Sequence, residues 1–268
     1  MRARERLVPA MSGAATSSGG ERDAQQAPAP LLEPRRAVAL VALLAALVLY
    51  AAGAGVFPNA SEPWDVAVVA LVLLPATAGV VCLLLPLARA RGLLAVAVAL
   101  AVLSGLLDVA GVGSVFNLTK LVALALLGFW FLELFQAVSW VVLVAAIVPW
   151  VDALSVWRGP TKVVVTQHPS LFDRISIGFR IPGEEATANI GPPDVIFLAL
   201  FLATAQRFGL RVGWTFAATT ALLALTLALT AAFDVGGLPA LPAISVGFLL
   251  PNADLLWRRY RQRRPQAS

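Results

Sequence analysis

The residues of this chain best suited to chemistry are its acids. Six of them, Asp108, Glu133, Asp152, Asp194, Asp234 and Asp254, lie in or beside long apolar stretches. A carboxylate in hydrocarbon costs several kcal/mol, so an acid in such a stretch is a functional candidate unless its position explains it. Asp108, Glu133, Asp234 and Asp254 fall near the ends of their stretches, where interfacial acids are tolerated. Asp152 follows Val141 to Trp150 without a polar break, and Asp194 opens the next apolar segment. Two carboxyls brought within hydrogen-bonding distance share a proton and titrate as a pair. One can then activate water as a general base while the other polarises a carbonyl and protonates the leaving group. The same pair would also serve a proton relay or a bound cation. With one histidine, His168, and one cysteine, Cys82, the chain has no zinc-protease helix, no histidine-activated serine and no internal disulfide. No cofactor or metal is expected.

The elements that must position these acids are membrane helices. Of 268 residues 59% are apolar and 13% charged, with a mean hydropathy of +0.84. Soluble domains carry about 25% charged residues. The polar surface is too small to coat a soluble globule, so the chain is expected to be an all-α polytopic membrane protein. Residues 1–36 read as a flexible polar tail, rich in Ser, Gly, Gln and Pro. About 20 apolar residues cross a bilayer, which places spans at 37–57, 66–87, 92–112, 119–135, 137–157, 194–211, 213–233 and 238–257. That makes a bundle of eight helices, or nine if one is missed or re-entrant. They divide into N-terminal transmembrane helices (37–135), a catalytic transmembrane region (136–257) with an external loop at 158–193, and a basic C-terminal tail (258–268). With both termini inside, 15 of the 20 Lys and Arg residues face the cytoplasm and 5 face outside, as the positive-inside rule favours. The net charge of +5 therefore reads as orientation and not as nucleic-acid binding.

The 158–193 loop carries a further signal. Arg174 to Ile181 alternates polar or small residues with apolar ones, the pattern of a half-buried strand, and Pro182-Gly183 then marks a turn. Lys162 to Thr166 is a candidate hairpin partner. A strand beside Asp194 can pair with an unwound substrate backbone, which makes Ile175, Ile177 and Phe179 candidate substrate contacts. The plain alternative is a hairpin that merely covers the loop.

Three segments resemble one known family. Val151-Asp152-Ala153-Leu154-Ser155-Val156-Trp157 is similar to the Asp-Ala-x-Ser-Val-aromatic segment of the presenilin and signal peptide peptidase family of intramembrane aspartyl proteases. Gly191-Pro192-Pro193-Asp194 resembles its Gly-x-Gly-Asp motif, and Pro239-Ala240-Leu241-Pro242 its Pro-Ala-Leu motif. The segments occur in the family's order and span roughly 137–257. Val151 stands where the family usually has an aromatic, and Pro193 where it has glycine. The resemblance implies a prokaryotic-type protease of the cell membrane that cleaves membrane-spanning or signal-peptide-like segments. Asp152 and Asp194 would form its dyad, and Pro239, Ala240 and Leu241 would shape the substrate site. Two other functions fit the same residues: a catalytically silent relative that binds membrane segments, and a proton- or cation-coupled transporter. The sequence names neither the substrate nor the oligomeric state.

Overall fold

Apolar blocks of 16 to 28 residues, punctuated by Gly, Pro and Arg, fold as eight helices among the described residues. The computed structural model describes residues 32–58, 61–158, 174–184, 187–233, 235 and 238–263. The helices are α1 (Pro34–Gly53), α2 (Glu62–Arg89), α3 (Leu93–Val109), α4 (Gly113–Glu133), α5 (Val138–Arg158), α6 (Pro192–Arg207), α7 (Val212–Ala232) and α8 (Leu241–Arg263). Five of them, α1, α2, α4, α5 and α7, are long and apolar enough to cross a membrane, and α3 is a shorter apolar helix. The chain thus has the make-up of an all-α membrane protein. One boundary departs from expectation. Helix α1 starts at Pro34 and not at 37, so Pro34, Arg35 and Arg36 leave the polar tail. Proline suits a first helical turn, because its missing N–H has no partner there in any case. Residues 1–31 of that tail lie outside the described residues.

Within α2, residues Val69–Leu73 form a π-helical segment just before Pro75. The proline ring cannot donate to the carbonyl of Leu71 and clashes with it, so the ladder changes register there.

Helix α6 occupies the centre. Val195 and every residue from Leu198 to Ala205 are buried, as befits a helix packed on all sides. Glycine permits the closest approach. A Cβ at Gly128 of α4 would lie 2.5 Å from the Ile196 carbonyl oxygen and 2.7 Å from the Ala199 Cβ of α6. At Gly247 of α8 it would lie 2.5 Å from the Thr219 Cα of α7. Small residues at such crossings are the usual way helices pack in a bilayer, where no hydrophobic force separates helix from lipid. A polar bond reinforces the second crossing. Buried Asn252 of α8 donates to Thr215 Oγ1 (2.8 Å) and accepts from the Arg211 N–H (2.8 Å).

A two-stranded antiparallel sheet precedes α6. Strand β1 (Ile177–Arg180) pairs with β2 (Thr187–Ile190), Ile177 opposite Ile190 and Arg180 opposite Thr187. A hairpin therefore forms, but the partner is the segment after the Pro182-Gly183 turn. The expected partner, 162–166, lies outside the described residues. The strand is also shorter than expected: Arg174 and Ile175 belong to a helical turn, where Lys120 Nζ holds the Arg174 carbonyl (2.8 Å) and Asp108 its side chain (3.4 Å). The hairpin is fastened to the ends of two helices, α1 and α4. Tyr50 Oη donates to the Arg180 carbonyl (2.8 Å), the Gly183 N–H to the Ala54 carbonyl (2.9 Å), and the Gly178 N–H to Asn117 Oδ1 (3.4 Å). At the opposite end of the bundle arginines close the crossings. Arg207 donates to the Leu132 carbonyl (3.1 Å), Arg259 to the Phe208 carbonyl, and Arg211 grips Asp254 bidentately at 2.8 and 2.9 Å.

Candidate functional site

The carboxylates of Asp152 and Asp194 each lie at the start of a helix, α8 and α6 respectively, and each accepts a backbone N–H there. The first N–H groups of a helix have no partner within it and attract negative charge. Leu241 is the first residue of α8, and its N–H donates to Asp152 Oδ2 at 3.0 Å. Asp152 is half-buried on α5, 89 positions away in the chain. Asp194 is the third residue of α6, and its Oδ2 accepts from the N–H of Gly191, the residue before that helix, at 3.1 Å. The first and third motif segments thus meet through one hydrogen bond.

The local geometry at Asp194 explains the departure at Pro193. Pro192 and Pro193 fill the first two positions of α6. Amides at those positions have no carbonyl partner in the helix, so two prolines sacrifice no bond and preset the φ angle that the helix needs. Glycine matters one residue earlier. A Cβ at Gly191 would stand 3.1 Å from Asp194 Oδ2, tighter than ordinary contact.

The carboxyl groups of Asp152 and Asp194 lie within range of each other's charge. Asp194 also lines a cavity of about 240 Å³ together with Leu73 of the π-helical segment, Phe179 of β1, Asn189 of β2, Leu227 of α7 and Ala240. Asp152 does not line that cavity; its partner Leu241 directly follows Ala240, which does. The arrangement offers two acids, a space that admits water and an apolar wall. Such a set can move protons between a water and a third group.

The remaining candidates separate cleanly. Phe179 and Ala240 reach the cavity, and Pro239 is half-buried in the extended stretch before α8. Ile177 is fully buried in the core, and Ile175 is 45% exposed on its helical turn. Neither side chain lines the cavity. Two outward backbone groups of β1 are taken, the Gly178 N–H by Asn117 and the Arg180 carbonyl by Tyr50. The strand that borders the cavity along its length is β2, through Ala188, Asn189 and Ile190. The other acids have plain explanations. Asp108 pairs with Arg174, Asp254 with Arg211, and Glu133 is exposed as the last residue of α4. Asp234 and His168 lie outside the described residues. Cys82 is a free, half-buried thiol, and among the described residues no three His, Cys, Asp or Glu side chains cluster to hold a metal.

One acid escaped the sequence reading. Asp65 is 6% exposed, and its Oδ1 has no partner among the described residues. It stands one turn before Val69, a cavity residue, on the same face of α2. With the span drawn from residue 66, Asp65 fell one position outside the apolar block. No family model, no curated protein and no solved structure matches the chain.

Proposed function

We propose that the chain is an intramembrane aspartyl protease of the presenilin and signal peptide peptidase type, with Asp152 and Asp194 as its catalytic dyad. The observation that carries this reading is the Leu241 N–H bond to Asp152. It joins two of the three motif segments, while Asp194 and Ala240, from the second and third, line one cavity. In this reading the dyad holds one proton. The ionised acid takes a proton from water as the oxygen attacks the scissile carbonyl. The protonated acid donates to that carbonyl oxygen, and the tetrahedral intermediate collapses as the leaving amine is protonated. The products are a carboxylic acid and an amine, with no covalent enzyme intermediate.

The substrate is a membrane-spanning or signal-peptide-like segment. Its helix must unwind first, because its peptide bonds are closed off by their own ladder, and in hydrocarbon any freed group needs a new partner. An extended substrate lying against β2 would supply one. This moves the pairing strand from β1 to β2 and leaves Phe179 and Ala240 as apolar contacts. The chain crosses the bilayer eight times in this reading, with both termini in the cytoplasm and the hairpin outside. The 15-to-5 division of basic residues supports that orientation. The test is cleavage of a membrane-spanning reporter peptide by the purified chain in liposomes, with Asp152→Asn and Asp194→Asn as the variants that must be inactive.

A further inference from the structure

A groove of about 530 Å³ opens between the first half of α5 and the last half of α8, away from the proposed dyad. Its size falls within the range of about 300–1,000 Å³ usual for small-molecule pockets. Val138, Val142 and Ala146 form its α5 wall, one stripe at four-residue spacing. Leu256, Trp257 and Tyr260 form the α8 wall. Both walls are apolar over most of their length, and charge gathers at one end. Arg259 lines the groove there, and Arg261 is exposed beside it, over the ring of the lining Trp257. The aromatic rings are part of the same rim. Trp257 stacks on Tyr260 with centroids 5.9 Å apart, and the Arg261 guanidinium lies 5.2 Å over the Trp257 ring.

A trough of methyl and methylene groups that ends in aromatic rings and guanidinium groups matches one kind of molecule in both its halves. We propose that the groove binds a single anionic glycerophospholipid, with an acyl chain between α5 and α8 and its phosphate facing Arg259 and Arg261. Apolar burial would hold any lipid there, and the net negative headgroup is what selects among them. A zwitterionic headgroup brings its own cation to the arginines and gains less. Aromatic side chains at the same level suit the interface between hydrocarbon and headgroup. The site is independent of the proteolytic reading and stands or falls separately from it.

The test uses the full chain, extracted from vesicles of equal parts dioleoylphosphatidylglycerol and dioleoylphosphatidylcholine and weighed intact by native mass spectrometry. The expected result is one retained phosphatidylglycerol in strong preference to phosphatidylcholine. Arg261→Gln is an exposed change that leaves the fold intact, and it should lower that preference about fivefold, equivalent to about 1 kcal/mol per basic residue. Ala146→Phe, which fills the trough, should abolish retention of both lipids. Equal retention of the two lipids, unchanged retention in Ala146→Phe, or an equal loss on changing Arg89 and Arg91 instead would each overturn the proposal. A dimer that excludes lipid from the groove would overturn it too.

Discussion

Asparagine in place of Asp152 or Asp194 keeps an oxygen for the N–H of Leu241 or Gly191, yet it can neither take nor give a proton. That separates capping from catalysis. If the acids only cap helices, Asp152→Asn and Asp194→Asn should leave the reporter peptide cut at the normal rate. If they form a dyad, each should lower cleavage by about a hundredfold or more, with the thermal midpoint little changed and the double variant no slower than either single one. Asp108→Asn and Glu133→Gln, whose side chains lie away from the cavity, serve as active controls. At Pro193 the expectation runs the other way. Restoring glycine widens the unfolded ensemble and should destabilise the chain by about 0.4–1 kcal/mol, read as a fall in thermal midpoint. Cleavage should hold or rise, because Asp194 keeps its bond to Gly191. A large loss of cleavage in Pro193→Gly would mean that the proline, and not the helix start, positions the acid.

The helices are fixed relative to one another by a few close crossings, and those crossings are where single atoms count. Gly247→Ala puts a methyl group 2.5 Å from the Thr219 backbone, and Gly128→Ala puts one 2.5 Å from the Ile196 carbonyl. Neither neighbour is a flexible side-chain tip, so the helices must separate. Each change should cost about 1–3 kcal/mol, measured by thermal unfolding in detergent. Gly105→Ala, with open space around its Cβ position, should be neutral or mildly stabilising. The hairpin is held more lightly. Tyr50→Phe removes only the bond to the Arg180 carbonyl, worth about 0.5–1.5 kcal/mol. Amide exchange should quicken at residues 177–180 while the centre of α6 stays protected. These features divide sharply in how far the sequence displayed them. Helix existence was legible because Ala, Val and Leu blocks of bilayer length leave no other way to satisfy a backbone in hydrocarbon. Strand β1 was legible from its alternation, whereas β2, Thr187-Ala188-Asn189-Ile190, alternates over only four residues, of which Ala and Asn are poor strand formers. Asp152 and Asp194 were legible as acids out of place. Their partners were not, since a bond between residues 152 and 241 has no local signature.

At the scale of the whole molecule, the two ends of the bundle differ in chemistry. The hairpin end gathers Tyr50, Asn117 and Lys120 around backbone carbonyls and amides, with the two candidate acids nearby. The other end gathers Arg207, Arg211 and Arg259, and α8 carries Arg258 and Arg261 onward. Basic residues concentrate on the cytoplasmic side because translocating them is unfavourable. The orientation expected on that rule has the hairpin outside and the C-terminal helix end inside. It is tested with single cysteines in a Cys82→Ser background, at Glu184 in the hairpin turn and at Gln262 near the end of α8, both exposed. In intact cells a membrane-impermeant maleimide should label Glu184→Cys and spare Gln262→Cys, and both should label after the cells are opened. The reverse pattern would invert the molecule and place cleavage at the cytoplasmic face. Labelling of both positions in intact cells would put the two on one side, which an even number of crossings from the hairpin to the C-terminus would require. In the eight-span reading α6, α7 and α8 each cross the bilayer between them, and three crossings cannot return the chain to the side it left.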